Sequence, residues 1–378
     1  MDRKQIAKSI EDLALAIENE DFGKKPTIAI SNTGSELSSD VINKAIDNLK
    51  DDVDFIIVGE NYKDFKTYNA CGDVENAEVL EKLFENKEID AAITLHYPFP
   101  IGVSTVGKII TPAEGKEVFI ANTTGTSDVK REKAMILNAI DGIIAAKANG
   151  IENPKVGILN VEGARLVDKK LKELKDNGFE IEFAESKRAD KGSVLRGNDL
   201  VAGVCDVFVT DSLTGNIIIK VFSSFTSGGY YETTGCGYGP SIGKDYDKPV
   251  FIISRRSGTP LIEGAIKFAK KSVEGNIVEV SKKVYQQAEK AGLNDILSSF
   301  DKQSAGKEEK KSFEMPDKEI VTAAIGGVDI LEIEDAIESL LSSGIYAESA
   351  MGCTGPVVMV NENNEDKAKS ILGEKGYI

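Results

Sequence analysis

Histidine is almost absent: the 378-residue chain holds one, His96. That excludes His-rich metal sites and HExxH chemistry. A Ser-His-Asp triad would have only His96 to use, and no GxSxG elbow accompanies it. Cysteine is scarce as well. Cys71, Cys205, Cys236 and Cys353 lie far apart with no CxxC pair, so neither a zinc ribbon nor a disulfide framework is indicated, and a reducing cytoplasm fits. No apolar run approaches membrane-span length. The opening stretch MDRKQIAKSIEDLALAIENE reads as an amphipathic helix with acids inside its apolar part, not as a signal peptide. Positive charge is outweighed. There are 46 Lys and Arg against 62 Asp and Glu, a net charge of −16, which argues against binding nucleic acid or an anionic membrane.

What is present is ordinary for a soluble globular protein, with 41% hydrophobic and 29% charged residues. The length allows two or three domains with their own cores. Strand-like runs are Thr27–Ser31, Phe55–Val58, Ala91–Leu95, Glu117–Ala121, Lys155–Asn160, Glu180–Phe183, Val207–Thr210 and Val250–Ser254. Helical patterns separate them, at Asp40–Leu49, Glu75–Asn86, Lys130–Ala148 and Arg165–Asn177, which predicts a parallel sheet with helices on both faces. The expected organisation is a first α/β domain from residues 1–120 and 245–300 and a second from 121–244. A charged linker over 301–319 and a small C-terminal α/β module over 320–378 follow.

Four small-residue loops fall at expected strand ends, where open α/β sheets bind ligands. The first is Ser31–Asp40, with Thr33, Gly34 and Ser35; it is neither a Walker loop nor GxGxxG. The second is Asn122–Ser127, with Thr124 and Thr126. The third is Asp211–Asn216, with Ser212, Thr214 and Asn216, followed by Lys220. The fourth is the glycine-rich run Gly235–Gly243, read as turns that bring backbone close to a neighbour. Each loop alone is equally an ordinary capped βα turn; together they point to a shared anion pocket. Arg165, Arg188, Arg196, Arg255 and Arg256 stand out in an acidic chain, because a guanidinium fork binds two phosphate oxygens, although each alone suits a surface ion pair. Cys353 sits in AMGCTGP, flanked by residues too small to shield it, and is either a reactive thiol or a small residue in a turn.

The stretches Asp206–Lys220 and GIENPKVGILN (150–160) resemble the phosphate acyltransferases of phospholipid synthesis. The runs ESKRADKGSVLRGNDLVAG, DSLTGNIIIKVFSSFTSGG, GYGPSIG and GCTGPVVMV resemble, over essentially the whole chain, the alpha subunits of component C of glycine/sarcosine/betaine reductases. The resemblance implies two α/β domains of the isocitrate dehydrogenase and phosphotransacetylase type with a cleft between them. It also implies acetyl transfer from a protein-bound thioester to inorganic phosphate, with a thiolase-like beta subunit and selenoprotein A as partners. Cys353 falls on the cysteine implicated as acetyl carrier. Such a reaction needs no metal and no cofactor, since phosphate is itself a competent nucleophile. Thr214 and Asn216 are the expected contacts at the reacting centre. Thr33, Gly34, Ser35, Thr124, Thr126, Ser212, Arg165, Arg188, Arg196 and Lys220 are expected to bind phosphate, with His96 a remote candidate for proton transfer. A plain carrier- or coenzyme A-dependent acyltransferase, and a non-catalytic subunit, are the alternatives. Self-association stays open.

Overall fold

The structure is a computed structural model that describes Ala14 and residues 25–187, 192–304, 315–328, 333–352 and 355–378. The expected N-terminal helix therefore lies outside the described residues except at Ala14, and so do Arg188, Cys353 and most of the expected linker.

Twelve strands make one sheet: Thr27–Ser31 (β1), Asp54–Gly59 (β2), Lys66–Asn69 (β3), Ala91–Thr94 (β4), Val103–Ile110 (β5), Glu117–Thr126 (β6), Lys155–Leu159 (β7), Glu182–Phe183 (β8), Val194–Leu195 (β9), Val207–Val209 (β10), Gly239–Gly243 (β11) and Val250–Ile252 (β12). Between them lie Asp40–Leu49 (α1), Gly72–Glu85 (α2), Arg131–Ala148 (α3), Ala164–Asp176 (α4), Gly197–Val201 (α5) and Ser212–Ser224 (α6). Thr259–Glu274 (α7), Ile277–Lys290 (α8) and Leu293–Ser304 (α9) follow the last strand. The short apolar runs become strands because helices cover both faces. Ile28, Ala29 and Ile30 of β1 and Val207, Phe208 and Val209 of β10 are fully buried. On α1, buried Ile42, Ala45, Ile46 and Leu49 recur at helical spacing.

The sheet order is β3-β2-β1-β4-β12-β11-β5-β6-β10-β7-β8, with β9 beside β7. It is not parallel throughout, as the alternating pattern had predicted. β11 runs antiparallel to both β12 and β5, and β5 antiparallel to β6, so two parallel blocks of opposite sense meet at an antiparallel joint. The glycine-rich run read as turns supplies part of that joint. A Cβ at Gly239 would come 1.7 Å from the Val106 carbonyl oxygen, so the glycine lets two backbones meet inside the sheet. The stretch Asn122–Thr126, expected as a loop, instead continues β6, where Ser104↔Gly125 and Val103↔Thr126 pair beyond a register shift.

The main core lies on the face covered by α1, α3 and α7–α9. The opposite face carries two smaller cores: one holds Val58, Leu80, Tyr97 and Phe99, the other Phe208, Ile219 and Tyr238. The helix α9 runs to Ser304, into the stretch read as linker, because Phe300 is buried and Asp301 lies between Lys130 and Lys133 at 3.1 and 2.6 Å. The C-terminal module has its own core and a three-stranded antiparallel sheet, Ala323–Ile325 (β13), Ala347–Gly352 (β14) and Gly355–Val360 (β15), with helices Ile333–Leu341 (α10) and Glu365–Glu374 (α11). It meets the body through an antiparallel bridge between Pro100 and Ala350, and Val129 packs against its core.

Candidate functional site

Between the two smaller cores lies a cavity of about 310 Å³. Its wall combines Leu95, His96, Tyr97 and Phe99 after β4, Ile252–Arg256 at the end of β12, Thr124 of β6, Asn216 and Lys220 of α6, Tyr238, Glu36, and Met351 of the C-terminal module. Both blocks of the sheet and the module thus contribute to one space.

The helix α6 is brought here by a glycine. A Cβ at Gly215 would stand 1.8 Å from the Asn122 carbonyl oxygen, so only glycine lets α6 lie this close to β6. Asn216 then donates from Nδ2 to the Thr123 carbonyl at 3.0 Å, and Thr123 in turn donates from its hydroxyl to the Tyr238 carbonyl at 2.7 Å. One turn further along, Lys220 reaches the cavity wall.

The start of α6 differs from what the sequence suggested. Asp211 is its N-cap: the carboxylate accepts from the Thr214 amide at 3.0 Å and from the Thr214 hydroxyl at 2.7 Å. An N-cap acid satisfies the amide that an incoming anion would have used and offsets the helix dipole. Thr214 therefore serves the cap, and neither it nor Ser212 lines the cavity, whereas Asn216 and Lys220 do.

The first loop acts indirectly. Asn32 pins it to β2, donating to the Glu60 carbonyl and accepting from the Glu60 amide, both at 2.9 Å. The Gly34 carbonyl accepts from Arg255 at 3.1 Å, and the Glu36 amide donates to the Arg255 carbonyl at 2.8 Å. Gly34 and Ser35 thus hold the Arg255 segment, the Thr33 hydroxyl instead faces the Asn76 amide at 3.5 Å, and only Glu36 of this loop reaches the cavity. Arg255 also pairs with Asp73 at 2.7 Å. Arg256 pairs with Glu36 at 3.2 Å and stacks over Tyr230.

Of the other expected residues, Thr124 lines the cavity and Thr126 is buried behind it. Arg165, in the first turn of α4, and Arg196, the N-cap of α5, are exposed and away from the cavity wall. The residues that sequence reasoning ranked low or passed over are His96, Tyr238, Glu36, Ser254 and Met351. A lone histidine before Tyr-Pro-Phe-Pro and a tyrosine among glycines gave little signal, since their partners come from distant segments. Burial pushes the His96 imidazole below its ordinary value; the nearby Arg255 charge adds to this and Asp73 opposes it. Cys205 is fully buried. Cys236 is nearly so, and burial pushes its thiol up to about 11, which leaves it protonated and unreactive near neutrality.

Comparison with known proteins adds the following. Residues 27–359 match the family described as fatty acid synthesis protein. The chain is 46% identical over 380 residues to the glycine/sarcosine/betaine reductase complex component C subunit alpha of Peptoclostridium acidaminophilum, across 100% of this chain and 99% of that protein. It is 33% identical over 107 residues to a phosphate acyltransferase of Lysinibacillus sphaericus, covering 28% of this chain and 31% of that one. A branched-chain phosphotransacylase from Enterococcus faecalis superposes with a TM-score of 0.49 at 17% identity, over 66% of this chain and 99% of its own. Among the described residues, no helix is long and apolar enough to cross a membrane.

Proposed function

This chain belongs to the fatty acid synthesis protein family and, within it, to the component C alpha subunits of glycine/sarcosine/betaine reductases, and from that premise we propose that it transfers an acetyl group from a protein-bound thioester to inorganic phosphate. The observation that carries the reading is the shared cavity: Lys220, Arg255 and Arg256 stand on a wall completed by Met351, two positions before Cys353. Two guanidinium groups and an ammonium suit a phosphate dianion.

In the proposed step, a phosphate oxygen attacks the thioester carbonyl carbon. The tetrahedral oxyanion collapses, the carbon–sulfur bond breaks, and the sulfur leaves as thiolate while acetyl phosphate departs. The protein's task is to hold phosphate in line with the carbonyl and to stabilise the oxyanion. Arg255 and Arg256 are assigned to phosphate, and Lys220 to the charge that develops between the reactants. Asn216 and Thr124 are assigned to orientation. Cys353 is assigned as the acetyl carrier. The acetyl group would come from a carboxymethyl selenoprotein A, with the thiolase-like beta subunit of the complex upstream.

The test is intact-protein mass spectrometry after incubation with acetyl phosphate, for wild type and Cys353→Ala. A hydroxylamine-labile acetyl adduct on the wild type only is the expected result. Phosphate-dependent thioester cleavage that survives in Cys353→Ala would instead assign a carrier- or coenzyme A-dependent acyltransferase, the activity named for the shorter-matching relatives. No adduct, no cleavage and no phosphate binding would leave a non-catalytic subunit.

A further inference from the structure

Glu232 is a nearly buried carboxylate, its side chain 5% exposed, that none of the steps above uses. Its side chain accepts from the Tyr238 hydroxyl at 2.8 Å and from the Ser257 hydroxyl at 3.2 Å. The Lys220 ammonium donates to the Tyr238 oxygen at 3.1 Å, stands 3.7 Å from Glu232, and lies over the Tyr238 ring. The backbone around Glu232 is tied to the other block of the sheet. Its amide donates to the Arg256 carbonyl at 2.9 Å, its carbonyl accepts from the Gly258 amide at 2.8 Å, and it pairs with Ser257 in a parallel bridge. One residue therefore touches both the segment that carries Arg255 and Arg256 and the lysine of α6.

We propose that Glu232 and Tyr238 are positioning residues that fix the Lys220 ammonium at the cavity wall in register with Arg255 and Arg256. A lysine side chain is long and loses rotamer freedom when it is held. Lys220 is itself half-exposed, so without an anchor its charge would sample solvent. A carboxylate sequestered from water, with a phenol between it and the ammonium, is a directional anchor, and a charge-assisted hydrogen bond is stronger than a neutral one. Tyr238 is 2% exposed and cannot move away, because Thr123 also holds its carbonyl. The inference rests on the phosphate reading above and names how one of its three cations is placed.

The experiment measures inorganic phosphate affinity by calorimetry. It also measures the KM values for phosphate and for the acetyl thioester in phosphorolysis. The proteins are the full-length wild type, Tyr238→Phe, Lys220→Met and the double variant. Tyr238→Phe keeps the ring and removes only the hydroxyl. Each single variant should weaken phosphate binding on the order of tenfold, the scale of one charge-assisted hydrogen bond, with the thioester KM changed less than about twofold. The double variant should be no worse than Lys220→Met alone, since the tyrosine acts through the lysine. Unchanged phosphate constants in Tyr238→Phe, or additive losses in the double variant, overturn the positioning role. Should Tyr238→Phe not fold, Glu232→Gln serves in the same cycle under the same criteria. Failure of the wild type to bind phosphate would overturn the phosphate reading itself, and with it the role given to Lys220, so the wild-type titration separates the two failures.

Discussion

Substitution of Asp141 by Asn should flatten part of the pH dependence of stability. Asp141 is fully buried in α3, where its carboxylate accepts from Tyr285 at 2.7 Å and from Ser104 at 2.9 Å, with Ser127 at 3.5 Å. No cation neutralises it in these contacts. Burial raises its pKa from 3.8 to about 7, against the opposing effect of the three hydroxyl donors. The folded pKa thus lies above the unfolded one, so the folded state holds the proton more tightly. The stabilising contribution is complete below pH 3.8 and is lost as the pH rises through about 7. A difference of about three units is worth roughly 4 kcal/mol at its limit. With an unfolding entropy of about 2.1 cal/mol/K per residue, that is on the order of 5 °C in Tm for a chain of this length. The assay is thermal unfolding of wild type and Asp141→Asn from pH 5 to 8. Replacing a carboxylate oxygen by an amide shifts Tm by an amount that does not vary with pH, so it cancels in the trend. The gap between the two proteins should open steadily in favour of the asparagine variant as pH rises to 7, then level off. Parallel Tm curves would refute the reasoning, because Asp141 would then titrate alike in both states or not at all in this range.

Other consequences are more local. Gly215→Ala forces a Cβ to within 1.8 Å of the Asn122 oxygen, so α6 must move off β6; a loss of about 3 kcal/mol or more, read by urea unfolding, is expected together with weakened phosphate binding. In the native protein a thiol reagent should modify exposed Cys71 promptly and leave Cys205 and Cys236 untouched until denaturant is added, as peptide mapping by mass spectrometry would show. Arg165→Ala, on the exposed first turn of α4 and not part of the cavity wall, should leave phosphate affinity within about twofold of wild type, since salt screens an exposed charge that makes no contact with the bound anion.

The parts of the fold that were legible in the sequence were those written in local pattern. β1, α1, α3 and α4 fall within a residue or so of where apolar spacing put them, because each buries a continuous face. The joint at β5 and β11 was not legible. Gly239-Pro240 carries the composition of a turn, and only the Val106 backbone opposite explains the glycine. The site was half legible for the same reason. Thr124, Asn216 and Lys220 belong to conspicuous loops and reach the cavity. Thr214 looked equally suitable, but an aspartate three residues earlier claims its hydroxyl and amide. Tyr238 and Glu232 lie close in sequence, but the Lys220 and Ser257 groups that complete their contacts come from other segments, and His96 meets the charges of Asp73 and Arg255 only in the fold.

The three permanent cations of the cavity wall share one property. Arg255 has Asp73, Arg256 has Glu36 and Lys220 has Glu232. In the proposed reaction an arriving dianion therefore finds no bare positive field: it would compete with Asp73 and Glu36 for the two arginines, while Glu232, held by Tyr238 and Ser257, stays in place. The arginine pairs are partly exposed and weakly bound, so this exchange costs little in either direction. Such a surface suits traffic more than storage. Under the proposed function, phosphate would enter with about two charges and acetyl phosphate leave with nearly the same, each exchanging against the arginines' own exposed carboxylate partners. What the wall keeps constant is not the grip on an anion but the place where one can pause.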